Sequence, residues 1–351
     1  MAVYTKLTAR DIEEYLKQYE VGTLVSFKGI TEGVENTNYQ IILRRASARA
    51  QDLSPIARDP VPTPHGVPQN DEKYILTLYE QRVQPSELPF FLGLTEWLAD
   101  RGIACPRPVK GQGDRTIFSL KDRPAALIHF LEGRGSPHIT PRHLELTGEL
   151  IARTHLAAEG FPMTRRNALS VDGWSGLFQR FRRQANAICP GLEQDIAEEL
   201  QYLEERWPHG LPQGVIHADI FPDNVFFIDG NTDQPELSGI IDFYFACNDF
   251  WVYDLMICMN AWCFDAAHQF VPERAMALLQ SYNRLRPLTD AERLAMPVLA
   301  RGAAMRFLVT RSHDWLNRVE GALVNPKDPM EYVTKLRFHQ RARSSKDYGF
   351  A

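Results

Sequence analysis

Three absences narrow the possibilities before any motif is considered. The 351-residue chain has five cysteines, Cys105, Cys189, Cys247, Cys258 and Cys263, an odd number with no C-x-x-C pair. That spacing supports neither a zinc site nor a disulfide framework, and it fits a reducing, cytoplasmic setting. There is no excess of basic charge: 39 Lys and Arg stand against 44 Asp and Glu, a formal net charge of −5. A generic partner of nucleic acid or of an anionic membrane surface is therefore not expected. Nor is there a long apolar run. Met1 to Tyr19 carry charges throughout, unlike a signal peptide. The most apolar later stretch, Phe250–Phe264, is interrupted by Asp254 and Asn260. It is too short to span a bilayer and reads as a buried helix.

What is present is an ordinary globular composition, 44% hydrophobic and 24% charged, at a length that suggests about two domains. Thr8, followed by Asp11, starts a short helix. Strands are expected at 24–29, 39–44 and 74–80, then a helix over 90–101, then short strands at 117–119 and 125–130. Between the second and third strands, residues 46–72 carry five prolines from Pro55 to Pro68. Proline donates no backbone hydrogen bond, so this stretch reads as a mobile surface insertion on a hairpin. From Pro141 onward the pattern is helical: 144–159, 174–187, 192–206, and 250 to about 343. Short strands interrupt it at 215–217, 225–228 and 237–241. The result is an α+β pattern with a strand-rich region over 1–132 and a mainly helical region over 133–351.

The sharpest chemical signal is His217-Ala-Asp219-Ile-Phe-Pro-Asp223-Asn224, with Ile240-Ile241-Asp242-Phe243 ending a second apolar strand. Phosphoryl transfer from ATP needs such a set. One carboxylate accepts the proton of the attacking hydroxyl, and a carboxylate with an amide oxygen holds Mg²⁺ against the phosphates. On their own, His217 reads as a packed histidine and Asp223 as a loop residue.

The spacing His-x-Asp-x₄-Asn, with Ile-Asp 18 residues after Asn224, resembles the catalytic loop and metal site of the protein-kinase-like fold. Ala218 stands where protein kinases have Arg, and the run after Asp242 lacks their Gly. Both departures make the chain similar to the aminoglycoside phosphotransferase and choline kinase branch. Over nearly its whole length it resembles the bacterial homoserine kinases of that branch, through Gly33-Val-Glu-Asn-Thr-Asn-Tyr39, Tyr74-Ile-Leu-Thr-Leu-Tyr-Glu80, Leu211 to Asn224 and Ile241 to Cys247. The resemblance implies a two-lobed kinase-like fold, an antiparallel N-terminal sheet before a helical C-terminal lobe. It implies ATP-dependent, magnesium-requiring phosphorylation of the L-homoserine hydroxyl. Asp219 would be catalytic, with Asn224 and Asp242 on the metal. His217 and Asp254 would steady the catalytic loop. Gly33, Asn36, Thr37, Ile75 and Thr77 would meet ATP, with Thr77 in the place of the usual strand-three lysine.

A zwitterionic acceptor needs a cation for its carboxylate and an anion or carbonyls for its ammonium. Arg306, Arg311, Asp249 and Tyr244 are the candidates. The expected partners are small molecules, not nucleic acid or membrane. The alternatives are a kinase of another small hydroxylated amine, of choline or aminoglycoside type, or an inactive nucleotide-binding module.

Overall fold

A computed structural model describes residues 5–30, 36–45, 71–80, 83–228, 234–318 and 326–350. Gly33 and residues 46–70 of the Pro-rich stretch lie outside the described residues. The chain packs as two compact units: Met1–Leu92 with Pro106–Phe130, and Gly93–Cys105 with Leu131–Ala351.

In the first unit, Thr8 caps helix α1 (Ala9–Leu16) reciprocally with Asp11, as the sequence predicts. Strands β1 (Thr23–Gly29), β2 (Thr37–Arg44), β3 (Asp71–Leu78), β4 (Phe118–Leu120) and β5 (Arg123–His129) form one sheet in the order β1-β2-β3-β5-β4. Every neighbouring pair is antiparallel. The period of two turns Tyr39, Ile41 and Leu43 of β2, Tyr74, Leu76 and Leu78 of β3, and Leu127 of β5 onto one buried face. Ile12, Tyr15 and Leu16 of α1 join that core. The Tyr39 hydroxyl ties down the N-terminal segment, donating to the Thr5 carbonyl and accepting from the Leu7 N–H, both at 3.0 Å. One boundary needs correction. Residues 71 and 72, expected in the insertion, belong to β3: Asp71 faces Arg44 and Glu72 faces Leu43. The Arg44 guanidinium grips Asp71 at 2.9 Å and holds this end of the hairpin in register.

Helix α2 (Leu88–Ala99) carries the chain from the first unit into the second. Residues 93–105, expected with the first 132, pack in the second unit. Trp97 Nε1 donates to the Ala157 carbonyl at 2.9 Å, and the Ile240 N–H donates to the Ala104 carbonyl at 3.0 Å. The second unit contains α3 (Pro141–Ala157), α4 (Val171–Gln179), α5 (Leu192–Arg206), α6 (Trp251–Trp262), α7 (Pro272–Leu285), α8 (Asp290–Leu316) and α9 (Met330–His339). Two antiparallel ribbons accompany them: β6 (Gln213–Ile216) with β9 (Cys247–Phe250), and β7 (Val225–Ile228) with β8 (Glu236–Ile240). The helix expected over 174–187 stops at Gln179 and resumes as a 3₁₀ turn over Arg182–Ala187. That tighter turn brings Phe181 and Ala185 into the core beside Phe178. As expected, α6 is buried on every side. Among the described residues, no helix is long and apolar enough to cross a membrane.

Candidate active site

The site grows from the end of β6. The chain leaves that strand through His217 and Ala218, and Ala218 adopts a left-handed φ of 62°, uncommon for a residue with a Cβ. Asp254, in the first turn of α6, holds that turn. Its Oδ2 accepts from the His217 N–H at 2.9 Å and its Oδ1 from the Ala218 N–H at 2.8 Å. His155 Nε2, from α3, lies 2.9 Å from the same Oδ2. Asp254 is fully buried. Burial alone would raise its pKa, but His155, His217 and the backbone donor hold it below the usual carboxylate value.

His217 completes the turn from inside. Nδ1 accepts from the Asp219 N–H at 3.3 Å, and Nε2 donates to the Ile241 carbonyl at 3.0 Å. Those bonds need one acceptor and one donor nitrogen, the neutral imidazole. Burial lowers its pKa to about 4, which keeps it in that form. His217 is therefore a strut between two strand ends and not a proton carrier near neutrality.

Asp219 emerges from the turn half-buried. Asn224 Nδ2 donates to the Asp219 carbonyl at 2.9 Å and to its Oδ2 at 3.0 Å. The amide nitrogen thus turns toward Asp219, and Asn224 Oδ1 lies on the other side of the amide. Register brings in Asp242. Val225 of β7 faces Ile240 of β8, and the Ile241 N–H donates to the Asn224 carbonyl at 2.9 Å. Asp242 follows at once, exposed, with a left-handed φ of 65°. Asp219, Asn224 and Asp242 therefore sit at adjoining strand ends. The donor set of one carboxylate and one amide oxygen suits a hard cation that takes its remaining ligands from phosphate and water. Among the described residues, no group of three or more His, Cys, Asp or Glu could hold a metal by itself. Asp223 is exposed, 3.9 Å from Lys327.

In the first unit, the Thr37 hydroxyl donates to Glu80 Oε1 at 2.7 Å, and the Glu80 N–H reaches Asn36 Oδ1 at 3.4 Å. Both side chains are engaged within the fold. Ile75 and Thr77 share the sheet face opposite the core, and the Thr77 hydroxyl donates to Asn38 Oδ1 at 2.8 Å. The acceptor candidates differ among themselves. Tyr244 lies in the 3₁₀ turn after Asp242. Asp249 accepts from Asn167 Nδ2 at 2.7 Å, and burial raises its pKa. Arg311 forms an ion pair with Glu331 at 2.5 Å, whereas no carboxylate among the described residues pairs with Arg306. Sequence reasoning missed His155, which is 99 residues from Asp254. A histidine on a helix carries no local sign of such a partner.

The sheet, the helical unit and these strand ends define a phosphotransferase of protein-kinase-like architecture. The phosphotransferase enzyme family model matches residues 26–288, and the chain belongs to that family. Within it, the chain is 48% identical to the homoserine kinase of Rhodospirillum rubrum over 351 residues, covering 100% of both chains. It is 50% identical to the homoserine kinase of Rhodopseudomonas palustris over 350 residues, 99% of this chain and 98% of that protein. In fold it is similar to an amicoumacin kinase solved in complex with AMP-PNP, Ca²⁺ and Ami: TM-score 0.63, 13% identity, over 95% of this chain and 93% of that one.

Proposed function

We propose that this protein is an ATP-dependent homoserine kinase, converting L-homoserine to O-phospho-L-homoserine, the phosphorylation step toward threonine. The full-length likeness to homoserine kinases, at 48% and 50% identity over nearly all of each chain, carries the choice of acceptor. The chemistry rests on residues of the second unit. The Asp219 carboxylate aligns the acceptor hydroxyl and takes its proton as the hydroxyl oxygen bonds to the γ-phosphorus and ADP leaves. Asn224 fixes Asp219 through Nδ2 and offers Oδ1, with Asp242, to magnesium. When bound, that ion would offset the negative charge of the phosphates. Asp254 and His217 keep the turn set so that Asp219 needs no rearrangement. We assign nucleotide contacts to Gly33, Asn36, Thr37, Ile75 and Thr77. The segment 1–132, apart from 93–105, then serves the nucleotide, and the remainder serves the acceptor and the metal. The five cysteines are thiols outside any disulfide, in keeping with a cytoplasmic enzyme.

The test is ADP release measured with L-homoserine, L-serine, L-threonine, choline and kanamycin. L-homoserine should give the highest kcat/KM, and Asp219→Asn should cut kcat by at least ~10³ with ATP binding nearly intact. Faster turnover of choline or kanamycin would leave the family in place and remove homoserine as acceptor.

A further inference from the structure

Arg306 stands in the middle of α8, and 1% of its surface is exposed. Its Nε and Nη1 are buried, with no hydrogen-bond partner among the described residues. A buried guanidinium without a counter-ion is expensive, and natural folds keep one only where something answers its charge. The surroundings answer it only in part, through two aromatic faces and no paired carboxylate among the described residues. The guanidinium carbon lies 5.5 Å from the Phe245 ring centre and 5.1 Å from that of Phe307. Asp249 feels its charge, yet the oxygens of Asp249 accept from Asn167 Nδ2 and the Phe250 N–H, both at 2.7 Å.

Two further donors are in the same condition. The hydroxyls of Tyr253 and Tyr332 are buried without partners in hydrogen-bonding geometry, and both phenols lie within the field of Arg306. Tyr332 also feels the charge of Asp219. Rings connect the cluster to the catalytic loop: Phe221 meets Phe307 at 5.0 Å, and Phe307 stacks on Tyr332 at 5.2 Å. One fixed cation and two neutral hydroxyls match a monoanion. A triphosphate would need more positive charge than this cluster holds.

We propose that Arg306, assisted by Tyr253 and Tyr332, receives the α-carboxylate of the acceptor, a specificity device that rests on the amino-acid kinase reading above. The neighbouring candidate Arg311 is set aside because its guanidinium already grips a carboxylate, Glu331, which it shares with Lys335. Carboxylate binding saturates the buried guanidinium and places the acceptor beside the loop that carries Asp219. An alcohol without a carboxylate leaves Arg306 as it is in the free protein, gains nothing from it, and binds more weakly than the amino acid for that reason.

The experiment compares L-homoserine with 3-aminopropan-1-ol, the same skeleton without its carboxylate, on the full chain. Arg306→Gln should lower kcat/KM for L-homoserine roughly 100-fold, mostly through KM. It should leave 3-aminopropan-1-ol and the KM for ATP within about threefold. Without nucleotide, L-homoserine should raise the Tm of the wild type but not of Arg306→Gln. Unliganded Arg306→Met should melt at or above the wild type, because it removes a buried unpaired charge. Tyr332→Phe, a milder change, should raise the homoserine KM several-fold with kcat nearly constant. Equal losses on both acceptors, or a lowered Tm in Arg306→Met with the homoserine shift retained, would overturn the proposal. If L-homoserine stabilises the protein through Arg306 but is not phosphorylated, the carboxylate receptor stands and the kinase assignment falls. If neither L-homoserine nor 4-hydroxybutanoate shifts the wild-type Tm, the receptor falls, whatever the turnover.

Discussion

Asp254 and Arg306 are both buried charges of the second unit, and they are treated in opposite ways. Asp254 receives two backbone N–H groups and His155. Arg306 keeps two donors without partners, among aromatic rings. A charge saturated by its own fold contributes to architecture, because each bond it accepts fixes a piece of backbone. A charge left unsaturated makes the fold less stable and is useful only to a ligand. The contrast separates residues that shape the site from residues that read what enters it.

The largest effect should come from emptying the saturated side. Asp254→Ala leaves two backbone donors and His155 without an acceptor, and should cost about 3–5 kcal/mol of stability in urea unfolding. A loss under about 1 kcal/mol would break the comparison, since Asp254 would then hold nothing. Acid should attack the same cluster. His217 is held near 4, so the folded state refuses a proton that the unfolded chain accepts around 6.5. Stability is full above that ordinary value and falls as pH drops through the folded one, by about 3 kcal/mol for this residue. His339, pushed down to about 3 by burial, acts in the same direction. Unfolding curves at several pH values from 7 to 4 should therefore slope, and His217→Gln should remove part of the slope. An unchanged slope would exclude His217 as its source.

On the unsaturated side the sign reverses. Arg306→Met should be neutral or stabilising by roughly 1–2 kcal/mol in the unliganded protein at pH 7, read from the same urea curves. The smallest effect belongs to a neutral pair that serves as control, Thr77 with Asn38. Thr77→Ala removes one ordinary hydrogen bond and should lower kcat/KM by less than about 1.5 kcal/mol. A loss comparable to that of Asp219→Asn would make the Thr77 hydroxyl part of the chemistry and void the control.

Much of the frame is written in local pattern. Thr8 with Asp11, the alternation of β2 and β3, and the apolar run of α6 can each be read within a dozen residues. So can the loop from His217 to Asn224, because two short strands on either side fix its ends. What escaped depends on partners distant in sequence. β9 has four residues and runs directly into α6, so only its pairing with β6 reveals it. Asp71 and Glu72 follow a proline-rich stretch, and Arg44 across the hairpin decides their state. Arg306 and Arg311 are equivalent in the sequence, five residues apart on one helix. Glu331 on α9 makes them different.

From Val252 to Asn260, α6 shows no face to water. Its amide protons can meet deuterium only when the whole unit opens. The N–H groups of His217 and Ala218 end on a carboxylate of that helix, so they should exchange in step with it, far more slowly than an ordinary turn between strands. The clock of the catalytic turn is thus set by the deepest helix of the unit. Heating or denaturant should release turn and helix together, with no stage at which the protein stays folded and the turn has let go of Asp219.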